Sequence, residues 1–190
     1  MNKPIDITNV TIKTDRLTLR PWRETDLEDF YAYAKVDGVG QMAGWLPHKD
    51  KEESRVILTH FIEGKKTFAL EYQGKVIGSL GVECYREALY PELADLQGRS
   101  IGYILAKDYW GQGLMPEAVQ AVITWLFDDI GLDFIFVGHF DWNTQSRRVI
   151  EKCGFRYLTS TKYETRYGTT ETTMDYVLYH PKRSIAHVDT

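Results

Sequence analysis

The spacing of apolar residues along this chain changes several times, and each change marks an element. At the centre, Ile101-Gly102-Tyr103-Ile104-Leu105 is a strand-like apolar run that breaks into Tyr109-Trp110-Gly111-Gln112-Gly113 and then takes up helical spacing. Met115, Val119, Val122, Ile123 and Leu126 fall on one face of that helix. Pro116 sits near its first turn, where a missing N–H costs no intrahelical bond. The pattern predicts strand, glycine loop, helix.

The flanking pattern is of the same mixed kind. Leu17-Thr18-Leu19-Arg20-Pro21 alternates like a short strand, and Glu24-Thr25-Asp26-Leu27 opens a helix with Leu27, Phe30, Tyr31 and Ala34 at helical spacing. Gly38, Gly40, Gly44 and Pro47 punctuate a loop around Trp45, before a second helix over 52–62 that ends at Gly64. The runs 67–72 and 75–82 flank Gln73-Gly74, a hairpin signature. An irregular connection over 85–98 leads into the central strand. Beyond the central helix, Gly131 is a stop, 134–139 is a buried strand, and Asn143 caps a helix over 144–153. The segments 156–163 and 172–179, parted by Gly168, read as a closing antiparallel pair. The expected fold is a single α/β domain with a mixed sheet over 14–180, preceded by a mobile lead-in at 1–13 and followed by a tail at 181–190.

Composition narrows the function. The 190 residues are 43% hydrophobic, enough for one well-buried core. A formal charge of -4 argues against generic nucleic-acid binding. No apolar run is long enough to cross a bilayer, and Met1-Asn2-Lys3-Pro4-Ile5-Asp6 does not lead into a signal-peptide core, so a soluble cytoplasmic protein is expected. Cys84 and Cys153 have no partners at metal-ligand spacing and read as reduced thiols, with Cys153 a small core residue. The five histidines form no ligand motif, and no metal is expected.

The chemistry concentrates at the glycine loop. Gly111 and Gly113 lie just before a helix, where free N–H groups and the helix dipole favour an anion, so the loop is a candidate pyrophosphate cradle or an ordinary turn. It is not a Rossmann fingerprint, lacking the third glycine and the acidic ribose partner, nor a Walker loop. The connection over 85–98 carries Glu87, Tyr90, Glu92 and Asp95, which suit either a pocket for a cationic substrate or a solvated loop. The loop around Trp45 is either substrate-facing or pinned by one buried ring.

With these residues in hand, the chain resembles the GNAT N-acetyltransferase superfamily, in the branch that includes the ribosomal-protein N-terminal acetyltransferases. The likeness rests on Thr14-Asp15-Arg16-Leu17-Thr18-Leu19-Arg20, on Ile101-Gly102-Tyr103 with Tyr109-Trp110-Gly111-Gln112-Gly113, on Glu117-Ala118, and on Asn143-Thr144-Gln145-Ser146 with Glu151-Lys152-Cys153-Gly154-Phe155. The resemblance implies an acetyl-CoA site between two splayed parallel strands. Pantetheine would pair along Ile104, Leu105 and Ala106, and the pyrophosphate would rest on the amides of Gly111, Gln112, Gly113, Leu114 and Met115. Asp108 departs from the family's usual Gln or Arg at that place, so binding there falls to backbone.

The implied reaction is direct attack by a primary amine, either a protein N-terminus or a small cationic molecule, in a ternary complex. An alkylammonium ion has no lone pair, so transfer needs deprotonation, an oxyanion donor and a proton for the thiolate. The oxyanion donor would be a backbone N–H near Ile104 or Leu105. Ser146 is the candidate proton donor, or else completes the helix N-terminus, and Asn143 is a cap and pantetheine ligand. Glu83 and His139 are candidate bases, with ordered water the alternative. A non-catalytic acyl-CoA sensor and an unrelated nucleotide-binding domain are the competing functions. Exposed aromatic loops and the last β pair leave a homodimer open.

Overall fold

The computed structural model describes residues 1–181, so the expected tail lies, past Pro181, outside the described residues. Four α-helices, α1 (Leu27–Ala34), α2 (Lys51–Gly64), α3 (Leu114–Thr124) and α4 (Thr144–Lys152), cover a mixed sheet. Its eight strands are β1 (Ile12–Lys13), β2 (Leu17–Pro21), β3 (Thr67–Tyr72), β4 (Lys75–Glu83), β5 (Gly98–Leu105), β6 (Phe134–Phe140), β7 (Arg156–Glu164) and β8 (Thr170–Tyr179), in the spatial order β1-β2-β3-β4-β5-β6-β8-β7. The single-domain α/β architecture is the one expected.

Alternation along the strands separates two cores. Leu19, Leu70, Leu80 and Ile101 face Val119, Val122 and Ile123 of α3 and Ile150 of α4. Ala69, Val76 and Ile104 face the other way, onto Phe30 and Ala34 of α1 and Leu58 of α2. Each buried Val, Leu, Ile or Phe among them contributes about 1.5–3 kcal/mol, so the sheet is fixed in register by both faces. On the α1/α2 face a third cluster gathers Tyr85, Leu93, Phe134, Phe136 and Val177.

The local signals act as expected, with two differences. Gln73 and Gly74 both have positive φ, 50° and 78°, which is the turn a two-residue hairpin requires. Helix α2 carries its left-handed cap on Lys65 (φ 51°), one residue past the anticipated stop at Gly64. The lead-in, expected to be mobile, is packed. Ile7 is buried in the main core and its amide donates to the Lys65 carbonyl at 2.9 Å, while Asn2 exchanges two 2.9 Å bonds with the backbone of Tyr85. An apolar residue over an open patch of core gains more by burial than the chain loses in freedom.

The feature that makes a site lies between β5 and β6. This is the sheet's parallel pair, and α3 supplies the crossover such a pair needs. Pairing runs from Gly98 opposite Phe134 to Ile101 opposite Val137 and stops. Beyond it β5 continues beside β4 to Leu105, and β6 beside β8 to Phe140. The two strands part, and a cleft opens between them.

Candidate active site

A cavity of about 800 Å³ fills this cleft. Its floor on the α1/α2 side is made of glycines: Gly81 of β4 stands opposite Gly102 of β5, and Gly138 of β6 follows directly on the last parallel pair. A Cβ on Gly102 would meet nothing within 4 Å, so the space above it is open. Glu83 Oε1 reaches to 3.0 Å from the place of a Cβ on Gly81, and Asp175 Oδ1 to 2.7 Å from that on Gly138. Two carboxylates therefore lean over the floor from either side. At the other end the cavity is lined by Arg148 and Lys152 of α4, both exposed, and by Gly111 and Gly113.

The glycine loop has the conformation its sequence demands. Gly111 and Gly113 have φ of 75° and 77°, left-handed values that disfavour a side chain. Gly113 is the N-cap of α3, so the first amides of the helix have no carbonyl a turn behind them. Among the described residues, no backbone carbonyl accepts from the amides of Gly111, Gln112, Gly113, Leu114 or Met115. These amides are left open at the start of the helix.

A clamp holds this loop from behind. Arg16 donates from Nη1 to the Gln112 carbonyl at 2.9 Å and from Nε to Glu117 at 2.7 Å, and the Arg16 amide also donates to Glu117 at 2.9 Å. Burial alone would raise the Glu117 carboxyl, but hydrogen bonds from Thr14 and Arg16 hold it below the usual carboxylate range. By holding the Gln112 carbonyl, Arg16 fixes the peptide whose N–H belongs to Gly113. Arg16 and Glu117 were recognisable in the sequence only as pieces of a resemblance, since about a hundred residues separate them.

The strand edge is more selective than expected. Ala106 donates its amide to Ile77 of β4 at 2.7 Å, and Ile104 pairs with Ser79, so both hold β5 to its neighbour. Alternation turns the Leu105 amide to the open side, where its carbonyl accepts from Trp110 Nε1 at 2.8 Å. A backbone N–H thus faces the cleft at Leu105.

On the α3/α4 face, Ser146 Oγ lies 2.8 Å from the Tyr103 hydroxyl, and its amide donates to Asn143 Oδ1 at 3.0 Å. Burial pushes the Tyr103 phenol well above its ordinary value, against the hydrogen bond to Ser146, so it remains a neutral donor. Sequence reasoning missed Tyr103 because its hydroxyl meets Ser146 only when β5 and α4 are brought together. Asn143 is buried, with its Nδ2 donating to the Met42 carbonyl at 3.3 Å. Its side chain is engaged within the protein at both ends.

The two base candidates lie on opposite faces. Glu83 faces the glycine floor but forms an ion pair with Lys66. His139 lines the cavity from the α3/α4 face beside Tyr176, its Nδ1 2.7 Å from the Phe140 carbonyl and its Nε2 3.3 Å from the Tyr176 hydroxyl. The acids of the 85–98 connection are not in the cavity lining: Glu92 and Asp95 are exposed, and Glu87 is bound by Asn2. Met42 and Trp45 of the preceding loop do line it, which favours the substrate-facing reading. Cys84 and Cys153 are free thiols.

The sheet is parted at its parallel pair, and bare amides at a helix start lie beside the gap. Residues 16–156 match the family described as Acetyltransferase (GNAT) domain, and the chain belongs to it: it is an acetyltransferase. The acetyl donor of this family is acetyl-CoA, a cosubstrate. The chain is 27% identical over 178 residues to the uncharacterized N-acetyltransferase YoaA of Bacillus subtilis (strain 168), covering 81% of this chain and 92% of that protein. Its fold is similar to a GNAT-family acetyltransferase from Bacillus anthracis, with TM-score 0.77 and 22% identity over 90% of this chain and 98% of that one. It is also similar to the ribosomal-protein-S5-alanine acetyltransferase of Vibrio fischeri, with TM-score 0.70 and 19% identity over 92% of this chain and 98% of that one. Among the described residues no three potential ligands come together to hold a metal, and no helix is long and apolar enough to cross a membrane.

Proposed function

We propose that the protein transfers the acetyl group of acetyl-CoA to a primary amine by direct attack in a ternary complex. The observation that carries this reading is the division of one cavity, with free amides and the cations Arg148 and Lys152 at one end and the carboxylates Glu83 and Asp175 at the other. An anionic carrier and a cationic acceptor are sorted to opposite ends by charge alone. The parted strands lie between them.

In this reading the amides of Gly111 to Met115 hold the diphosphate, helped by the positive end of α3. Pantetheine runs along the open edge of β5, and the Leu105 N–H meets the oxyanion as the amine's lone pair adds to the thioester carbonyl. When the carbon–sulfur bond breaks, the thiolate takes a proton from the Ser146 hydroxyl, which is resupplied through the 2.8 Å contact with Tyr103. Asn143 contributes by fixing the turn that presents Ser146. His139, with both ring nitrogens engaged, serves packing.

Mass spectrometry of amine mixtures incubated with acetyl-CoA, with free thiol followed in parallel, tests this. Acetylated amine is expected to appear in step with thiol. Tight CoA binding without thiol release above the hydrolysis background would instead favour an acyl-CoA sensor.

A further inference from the structure

The cavity does not end at the glycine floor. A second hollow of about 250 Å³ adjoins it and shares Ser100, Gly138, Tyr163 and Asp175 with it, so Asp175 stands at the junction. The hollow's walls are largely aromatic: Tyr90 and Phe136 lie with ring centroids 4.6 Å apart, and Phe136 and Tyr85 5.4 Å apart. Its cation is Arg86.

Asp175 is built to be used. It lies on β8 opposite Gly138, and the absence of a side chain there is what gives Oδ1 its place, since a Cβ would sit 2.7 Å away. Its Oδ2 accepts from Thr161 Oγ1 of β7 at 2.7 Å, which fixes the carboxylate's rotation. Among the described residues none donates a hydrogen bond to Oδ1. Glu83, across the floor, is already ion-paired with Lys66 and is the weaker candidate.

Resting on the amine-transfer reading, we propose that Asp175 is a catalytic residue that receives the acceptor's amine, and that the acceptor is a primary amine whose apolar body lies on the Tyr90–Phe136 shelf. The acceptor binds as an ammonium ion and loses its first proton to solvent. The neutral nitrogen then forms the bond to the thioester carbon, and the carbonyl electron pair moves to oxygen. The nitrogen of this adduct is positively charged and acidic, and Asp175 Oδ1 takes its proton as the carbon–sulfur bond breaks and the thiolate leaves. A polycation is disfavoured, because a second ammonium group would face Arg86.

The surroundings set the working range. Burial raises the Asp175 carboxyl above its ordinary value, opposed by the hydrogen bond from Thr161 and the charges of Arg86 and His139, while Tyr90 faces it as a neutral phenol. A raised carboxyl is a stronger base, active above its own pKa and lost as pH falls through it. The same shift is a stability cost: the folded state holds the proton more tightly than the unfolded one, so the burden is absent at low pH and complete above the folded pKa. Removing the charge should therefore not lower the melting temperature at pH 7.

The test measures thiol release with 2-phenylethylamine from pH 5.5 to 9.5, alongside acetyl-CoA binding by calorimetry and thermal melts, for wild type, Asp175→Asn and Thr161→Val. Asp175→Asn is expected to bind acetyl-CoA like wild type and melt no lower at pH 7. Its kcat/KM should fall by about a hundredfold or more, with the limb set by the amine's own ionisation retained and the carboxylate's acid limb lost. Thr161→Val, which removes a bond that favours the ionised form, should move that limb to higher pH. An Asp175→Asn enzyme with wild-type rate and unchanged limb overturns the assignment while leaving amine transfer intact, and faster turnover of spermidine than of 2-phenylethylamine overturns the acceptor class. A wild type that releases no thiol with any amine sinks the amine-transfer reading itself.

Discussion

If Arg16 orients the glycine loop from behind, its loss must weaken the grip on the diphosphate and on nothing else. Arg16→Ala removes the 2.9 Å bond to the Gln112 carbonyl and the bridge to Glu117 that anchors it. A hydrogen bond from a charged donor contributes about 1.5–3 kcal/mol, and the lower part of that range applies here because the Arg16 side chain is 42% exposed. Freed from Arg16, the peptide at Gln112 samples other orientations, and its ordering cost is transferred to the binding step. A loss of about 1–2 kcal/mol corresponds to roughly 5–30-fold in Kd. Calorimetric titration should show that drop for CoA but not for acetyl-pantetheine, a fragment without the diphosphate. Arg16→Lys should recover part of it, since one ammonium keeps the charge but cannot span both partners. Equal losses for both ligands would mean that Arg16 supports the whole domain, and an unchanged CoA affinity would mean that the loop orders itself; either result refutes the clamp.

Other consequences are simpler. Arg20, buried, makes a bidentate contact with Asp26 at 2.8 and 2.9 Å and reaches Glu71 at 2.7 Å, so Arg20→Met strands a buried carboxylate and should cost about 3–5 kcal/mol in urea unfolding. His139→Ala should destabilise the fold by about 1–3 kcal/mol through the unmet Phe140 carbonyl and Tyr176 hydroxyl, and move the Asp175 acid limb of acetyl transfer to higher pH without abolishing it; a lost limb would return His139 to the mechanism. The Cys153 thiol is pushed up to about 11 by burial, whereas Cys84 is exposed. A thiol-reactive label at pH 8 should modify Cys84 alone in the native protein, and rapid double labelling would contradict the buried placement.

What the sequence determined by itself is whatever local geometry enforces. Gln73-Gly74 was legible as a hairpin turn, and Gly111 and Gly113 as the loop before a helix, because glycine takes the positive φ that such turns need. The face of α3 was legible because burial repeats with the helical turn: Met115, Val119, Val122 and Ile123 are all buried, as is Leu126 in the π turn that continues the helix. The place of β8 was not legible, since a hairpin pattern does not say which of its two strands will pair with β6. That choice carries Asp175 to the floor of the cleft and leaves β7 at the edge. Tyr103 meeting Ser146, Arg16 meeting Glu117 and His139 turning from the acceptor side are likewise tertiary outcomes. Each depends on side chains far apart in the chain, brought together by strand order and the pleat, and no local spacing encodes a contact of that kind.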